Sequence, residues 1–174
     1  MPTTPVSATV APTLAADECT FQDNMCQWNN SVFDTMQWQR HKGTTPTPHT
    51  GPLADHDNNP NNYYLFLESS DHLNKVARLD SRQFPGGDYC IDFYYYMYGS
   101  GIANLVFNVL AGNTTYHLKT WSGDKGERWY HHRINTHIRN SSTIKFEFEG
   151  HTGSSIYSDM AIDDITINLG NCTF

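Results

Sequence analysis

Four cysteines constrain this chain more than any other feature. Cys19 and Cys26 stand seven positions apart, a spacing that closes only a small local loop. Cys90 and Cys172 lie far apart, each in a stretch patterned like a β-strand. An even count fits either buried thiols or a disulfide framework, and four cysteines allow three pairings. The N-glycosylation pattern shifts the balance. It occurs at Asn29-Asn30-Ser31, Asn113-Thr114-Thr115, Asn140-Ser141-Ser142 and Asn171-Cys172-Thr173. Four acceptors, Asn29, Asn113, Asn140 and Asn171, beside four cysteines favour a secreted protein or the extracellular part of a membrane protein. A stapled extracellular β-domain then poses a question of recognition rather than of catalysis.

A chain of 174 residues suits one domain with some tail. Hydrophobic residues at 38% suffice for a core, and aromatics at 13% favour strands. The net charge of −7 argues against nucleic acid, whose phosphates need a Lys/Arg surface, and against anionic membranes. No segment is long and apolar enough for direct membrane insertion. Residues 1–17 are rich in Thr, Pro and Ala and predict a flexible linker, open to O-glycosylation, ahead of a folded domain over 18–174. They lack the basic start and apolar run of a signal peptide, so the chain reads as a mature portion or fragment with Met1 as an added start.

The domain shows no long helical period. Strands are expected over 63–68, 75–79, 89–98, 102–110, 115–121, 128–138, 143–149 and 160–169. Pro85-Gly86-Gly87-Asp88, Gly99-Ser100-Gly101, Gly112-Asn113 and Ser122-Gly123-Asp124-Lys125-Gly126 supply turns. The 89–98 and 102–110 strands are expected to form an antiparallel hairpin. Ile144, Phe146 and Phe148 alternate with Lys145, Glu147 and Glu149, as a half-buried antiparallel strand requires. Turn signals about every ten residues mark a β-sandwich or jelly roll.

An ordered series of motifs resembles the MAM domain, the extracellular module of receptor-type tyrosine phosphatases, meprins and neuropilins. The series opens with Cys19-x-Phe21, Cys26-x-Trp28 and Trp38. It continues with Thr50-Gly51-Pro52 before Asp55-His56, Ala77-Arg78-Leu79, and the run from Cys90 to Gly99. Trp121-Ser122-Gly123-Asp124-Lys125-Gly126 precedes Trp129, and Phe148-Glu149-Gly150, Ala161-Ile162-Asp163-Asp164-Ile165 and Gly170-x-Cys172 close it. The series departs from the family where Gln22 replaces the common Glu, and where Tyr94-Tyr95-Tyr96 replaces a Trp-Tyr-His run. The resemblance implies an all-β, two-sheet antiparallel jelly-roll sandwich with disulfides Cys19–Cys26 and Cys90–Cys172.

Candidate sites follow from strand phase. Neighbours on a strand face opposite ways, so Asp163 and Asp164 are not expected to act as a catalytic pair. Asp163 is in phase with Ala161, Ile165 and Ile167, an apparent core face, where a carboxylate needs a cation or several donors. Calcium suits hard oxygen ligands outside the cell. By resemblance the ligands of one structural Ca2+ are Asp163, Asp55 and the Gln22 carbonyl, with Asp164 as alternate. The competing reading pairs the Asp with Arg40 or Arg78, or takes these residues as turn-capping carboxylates. His131 and His137 share a face without zinc spacing and read as surface histidines that charge near pH 6. Ile91, Phe93, Tyr95 and Met97 read as core, and Tyr94, Tyr96 and Tyr98 as a partly exposed aromatic face. No nucleophile elbow or phosphate loop occurs. The expected function is non-catalytic adhesion or oligomerisation through a protein partner, including a second copy. The alternatives are glycan binding and a structural role in an extracellular coat or filament.

Overall fold

The structure, a computed structural model, describes residues 15–173. The 1–14 portion of the expected linker lies outside the described residues. Ten strands and no helix occur among them: β1 Ala15–Cys19, β2 Asn29–Asn30, β3 Gln39–Lys42, β4 Tyr63–Leu67, β5 Val76–Asp80, β6 Phe84–Met97, β7 Asn104–Ala111, β8 Thr114–Ser122, β9 Trp129–His151 and β10 Met160–Leu169. β1 starts at Ala15, so the last residues of the 1–17 stretch belong to the sheet, because Ala15 pairs with Asn168.

Every ladder is antiparallel. The first sheet runs β3-β4-β10-β6-β9, with β1 also on β10; the second runs β2-β5-β9-β7-β8. The strand β9 serves both. Its first part pairs with β6, up to Ile144 against Phe84, and its last part, Lys145 to His151, pairs with β7. Two strands are expected here, over 128–138 and 143–149, and the structure runs them together as one through 139–142. The expected turn at Pro85-Gly86-Gly87-Asp88 is a register shift inside β6 instead. A Cβ on Gly86 would lie 1.9 Å from the Ser141 carbonyl oxygen, so this crossing of β6 and β9 requires glycine. The expected hairpin between 89–98 and 102–110 does not form. Its strands sit in opposite sheets, β6 between β9 and β10, and β7 between β8 and β9.

The core fills the space between the sheets. Ile91, Phe93, Tyr95 and Met97 of β6 face inward against Phe107, Phe146 and Phe148. A smaller cluster of Tyr64, Phe66, Tyr96 and Ala161 lies on the other face of the first sheet. Cys19 joins Cys26, and Cys90 on β6 joins Cys172 beyond β10. The first bridge closes a loop of 7 residues and the second spans 82, the pairing the resemblance implies.

Candidate metal and interaction site

A bulge in β10 builds the site. Asp163 lies opposite Tyr94, but Thr166 lies opposite Asp92, so β10 carries one extra residue between them. Asp164 takes up that residue with φ 44°, a left-handed backbone. The bulge corrects the phase read from sequence. Ile162, Ile165 and Ile167 all face the core, whereas Ala161 joins the cluster on the other face. Asp163 therefore does not share the face of Ile165 and Ile167, yet it is 1% exposed.

The loop between β3 and β4 covers that face and brings His56 onto the bulge. His56 Nδ1 lies 3.0 Å from Asp163 Oδ2, and the His56 backbone N–H donates to the same oxygen at 3.3 Å. His56 Nε2 lies 3.7 Å from Asp164 Oδ2 and 3.2 Å from Asp57 Oδ1. Both aspartates of the pair thus converge on one imidazole, against the expectation that strand phase keeps them apart. The Asp164 N–H donates to Asp163 Oδ1 at 2.9 Å. Asp55 orders its own loop: Oδ1 accepts the Asn59 N–H at 2.6 Å and Oδ2 accepts the Asn62 amide at 2.8 Å.

One ligand atom from each of Asp55, His56 and Asp163 lies within 4.8 Å of the others. Gln22 is committed to β4, where its Oε1 accepts the Tyr63 N–H and its Nε2 donates to the Tyr63 carbonyl, both at 2.9 Å. Arg40 donates to the Phe21 and Gln22 carbonyls, and Arg78 pairs with Asp34 and Glu149. Asp163 is therefore offset by an imidazole and not by either arginine. Burial pushes the Asp163 carboxyl up to about 7, against the lowering effect of the His56 bond. Burial lowers the affinity of His56 for its proton, but its bond to Asp163 and the charges of Asp164, Asp163 and Asp57 outweigh this, for a net rise. His56 was legible only as half of the Asp55-His56 motif; an acidic loop residue beside a histidine is the signal that marks it.

Aromatic rings line the same surface. His56 stacks on Tyr94 with centroids 3.9 Å apart, and Tyr94 stacks on His131 at 4.7 Å. His131 continues to Asp92 at 2.6 Å. His137 pairs separately with Asp88, and His132 turns inward against Trp121, where burial lowers its pKa. The histidines thus go to different partners. Trp129 donates its indole N–H to the Ala54 carbonyl at 3.0 Å and meets Tyr64 and Tyr96 at steep angles. Beside it lies a cleft of about 330 Å³ lined by Leu53, Asp55, His56, Tyr96, Glu127 and Trp129.

The family model for the MAM domain, meprin/A5/mu, matches residues 19–173. The chain belongs to the MAM family. This MAM domain is 36% identical to MAM domain-containing glycosylphosphatidylinositol anchor protein 2 of Homo sapiens over 95% of its length and 19% of the relative's. It is 33% identical to MAM domain-containing glycosylphosphatidylinositol anchor protein 1 of Rattus norvegicus over 93% of its length and 18% of the relative's. It thus spans about a fifth of these relatives. Among solved structures, the C-terminal family 22 carbohydrate-binding module of Clostridium thermocellum Xyn10B superposes with a TM-score of 0.58. Identity is 12%, over 94% of this chain and 98% of that one, so the likeness is one of jelly-roll fold. Among the described residues no helix is long and apolar enough to cross a membrane.

Proposed function

We propose that this MAM domain is a non-catalytic extracellular module that makes protein–protein contacts, with a second copy or with another protein. One observation carries this reading: among the described residues, four of the seven exposed large apolar side chains gather away from Asn113, Asn140 and Asn171, whereas Val32 and Phe33 directly follow the Asn29 sequon and Leu169 stands just before that of Asn171. The loops holding Leu53, Leu73, Ile156 and Tyr157 meet at one end of the sandwich, tied by bonds such as Gly51 N–H to Tyr98 O and Gly101 N–H to Tyr157 O. Asn113, Asn140 and Asn171 lie toward the opposite end, with the Ala15–Asn168 pair, and all four sequon asparagines are exposed. An end that carries apolar groups and none of these three sequons suits a protein partner. Phe33, 92% exposed on the β2–β3 loop, offers a second contact point.

Glycan binding draws support from the fold of the family 22 module alone. Sugars stack on open ring faces, and here Tyr94 is sandwiched between two imidazoles while Trp129 is boxed in by Tyr64 and Tyr96. Light scattering of the glycosylated domain across concentration, repeated for Leu53→Asp and Phe33→Asp, tests the reading. Association lost in one variant at an unchanged melting temperature supports it. A strict monomer that also gives specific hits on a glycan array would overturn it in favour of the sugar reading.

One structural Ca2+ remains part of the proposal. Asp55 and Asp163 would hold it, with Asp164 as the alternate oxygen donor, while the Gln22 carbonyl of the expected set is already engaged by the Tyr63 N–H. The donor set fits because Asp55 and Asp163 offer carboxylate oxygens within 4.8 Å of each other, and the cation facing Asp163 is the titratable His56 imidazole rather than an arginine. Calcium should raise the melting temperature by linkage. Calorimetry showing no binding, with no shift on adding chelator, would remove the ion.

A further inference from the structure

We propose that Asn171 is a glycosylation site which the Cys90–Cys172 disulfide shuts: only chains in which sugar transfer precedes closure carry a glycan there. This rests on the extracellular reading above. The sequon Asn171-Cys172-Thr173 has the bridging cysteine as its middle residue. Around it the backbone is fastened at three points. The Gly170 N–H donates to the Asp88 carbonyl at 2.9 Å, the Cys172 N–H donates to Asn135 Oδ1 at 2.7 Å, and the Thr173 carbonyl accepts Arg133 Nη1 at 2.8 Å.

Transfer requires the asparagine amide and the hydroxyl two residues later to enter one enzyme site together, so the segment must lift off the sheet. Hydrogen bonds open transiently and allow this. A covalent bridge to β6, with Cα atoms 4.9 Å apart, does not. The other sequons contain no cysteine. Asn171 and Thr173 are exposed, as are Asn113, Thr114 and Thr115; what sets Asn113 apart is its place in the tight turn between Ala111 and Thr114, with no covalent tie within the sequon.

Order of synthesis sharpens the contrast. When Asn113 is made, β9 and β10 do not yet exist. When Asn171 is made, all ten strands precede it, so the chain holds everything needed to bring Cys172 to Cys90. Transfer joins Asn171 Nδ2 to the anomeric carbon of a polyprenyl-diphosphate-linked oligosaccharide. The amide loses one proton and the polyprenyl diphosphate departs. Closure oxidises the two thiols by exchange with a disulfide-carrying oxidoreductase, which takes up both electrons and both protons as its dithiol. Asn171 is thus exposed to a race from which Asn113 is free.

The test expresses the chain through the secretory route of a eukaryotic cell and measures occupancy of each sequon by mass spectrometry. Enzymatic deglycosylation in heavy-oxygen water marks the occupied sites. Wild type is compared with Cys90→Ser, with Cys26→Ser, and with wild type made under dithiothreitol. If Cys90→Ser is retained in the cell, the retained protein is analysed, since transfer precedes export. Asn171 should shift from mainly unmodified in wild type and Cys26→Ser to mainly modified in Cys90→Ser and under reductant. Asn113 should stay modified throughout. Equal Asn171 occupancy in all four samples would overturn the proposal, as would an equal rise in Cys26→Ser, which would mark a general folding delay. Asn113 bare in every sample would overturn the extracellular reading itself, and this proposal with it.

Discussion

Glu147 sits on β9 at 5% exposure, on the outer side of the second sheet. Burial pushes its carboxyl up to about 7; the 2.9 Å bond from the Asn108 amide works against this, and the charges of Glu149 and Asp80 add to it. Asp80, across the ladder, keeps one buried oxygen without a partner. An acid raised in the fold contributes stability that is fully present below its unfolded pKa, near 4.5, and is lost as pH rises through about 7. Glu147→Gln keeps the acceptor for Asn108 and adds a donor toward Asp80. It should stabilise the domain by about 1–2 kcal/mol at pH 8 and have little effect at pH 4. Urea melts at the two pH values check this, and an equal effect at both would refute the assignment. Alternation of Phe146 and Phe148 with Glu147 and Glu149 was legible in the sequence. The burial of Glu147 was not, because Asn108 arrives from another strand. The same limit hid the Asp163 site: its ligand types were readable, but one extra residue in β10 reversed its face.

Strand β8 is nine residues long and pairs only with β7 among the described residues. Such an edge invites pairing with another chain. Two features guard it. Phe107 lies opposite Lys119 while Asn108 lies opposite His117, so Leu118 is a bulge. Lys119 also shares the face of Phe107, a core residue, and so carries its charge on the inward side of the edge. This weakens the coat or filament reading through that strand. Lys119→Val should promote concentration-dependent self-association, measured by sedimentation velocity; a variant with wild-type mass at every concentration would show that the lysine guards nothing. Elements bounded by strong alternation were readable: β10 was expected at 160–169 and runs Met160–Leu169. Elements involved in the crossing of the sheets were not. Gly86-Gly87 looks like a turn and 139–142 like a gap between two strands, yet they let long strands bend past each other. The short β2 and β3 carry too few residues to show a period.

The two bridges act on the whole molecule differently. In the chain-entropy model the 82-residue span contributes about 4–5 kcal/mol and the 7-residue loop about 2–3 kcal/mol. Cys90→Ser should therefore lower the melting temperature more than Cys26→Ser, and full reduction should lower it by roughly 10 °C or more. Calorimetric melts rank them; equal losses would remove loop length as the cause. The pairing of Ala15 with Asn168 adds a mechanical consequence. Whatever extends the chain beyond these flanks pulls on neighbouring points of one sheet. Tension entering at the carboxyl side passes through Cys172 to Cys90 and bypasses β10, while tension at the amino side peels β1 from its partner a pair at a time. The domain would hang from its chain as a pendant, shedding one short strand under load while the sandwich behind it stays closed.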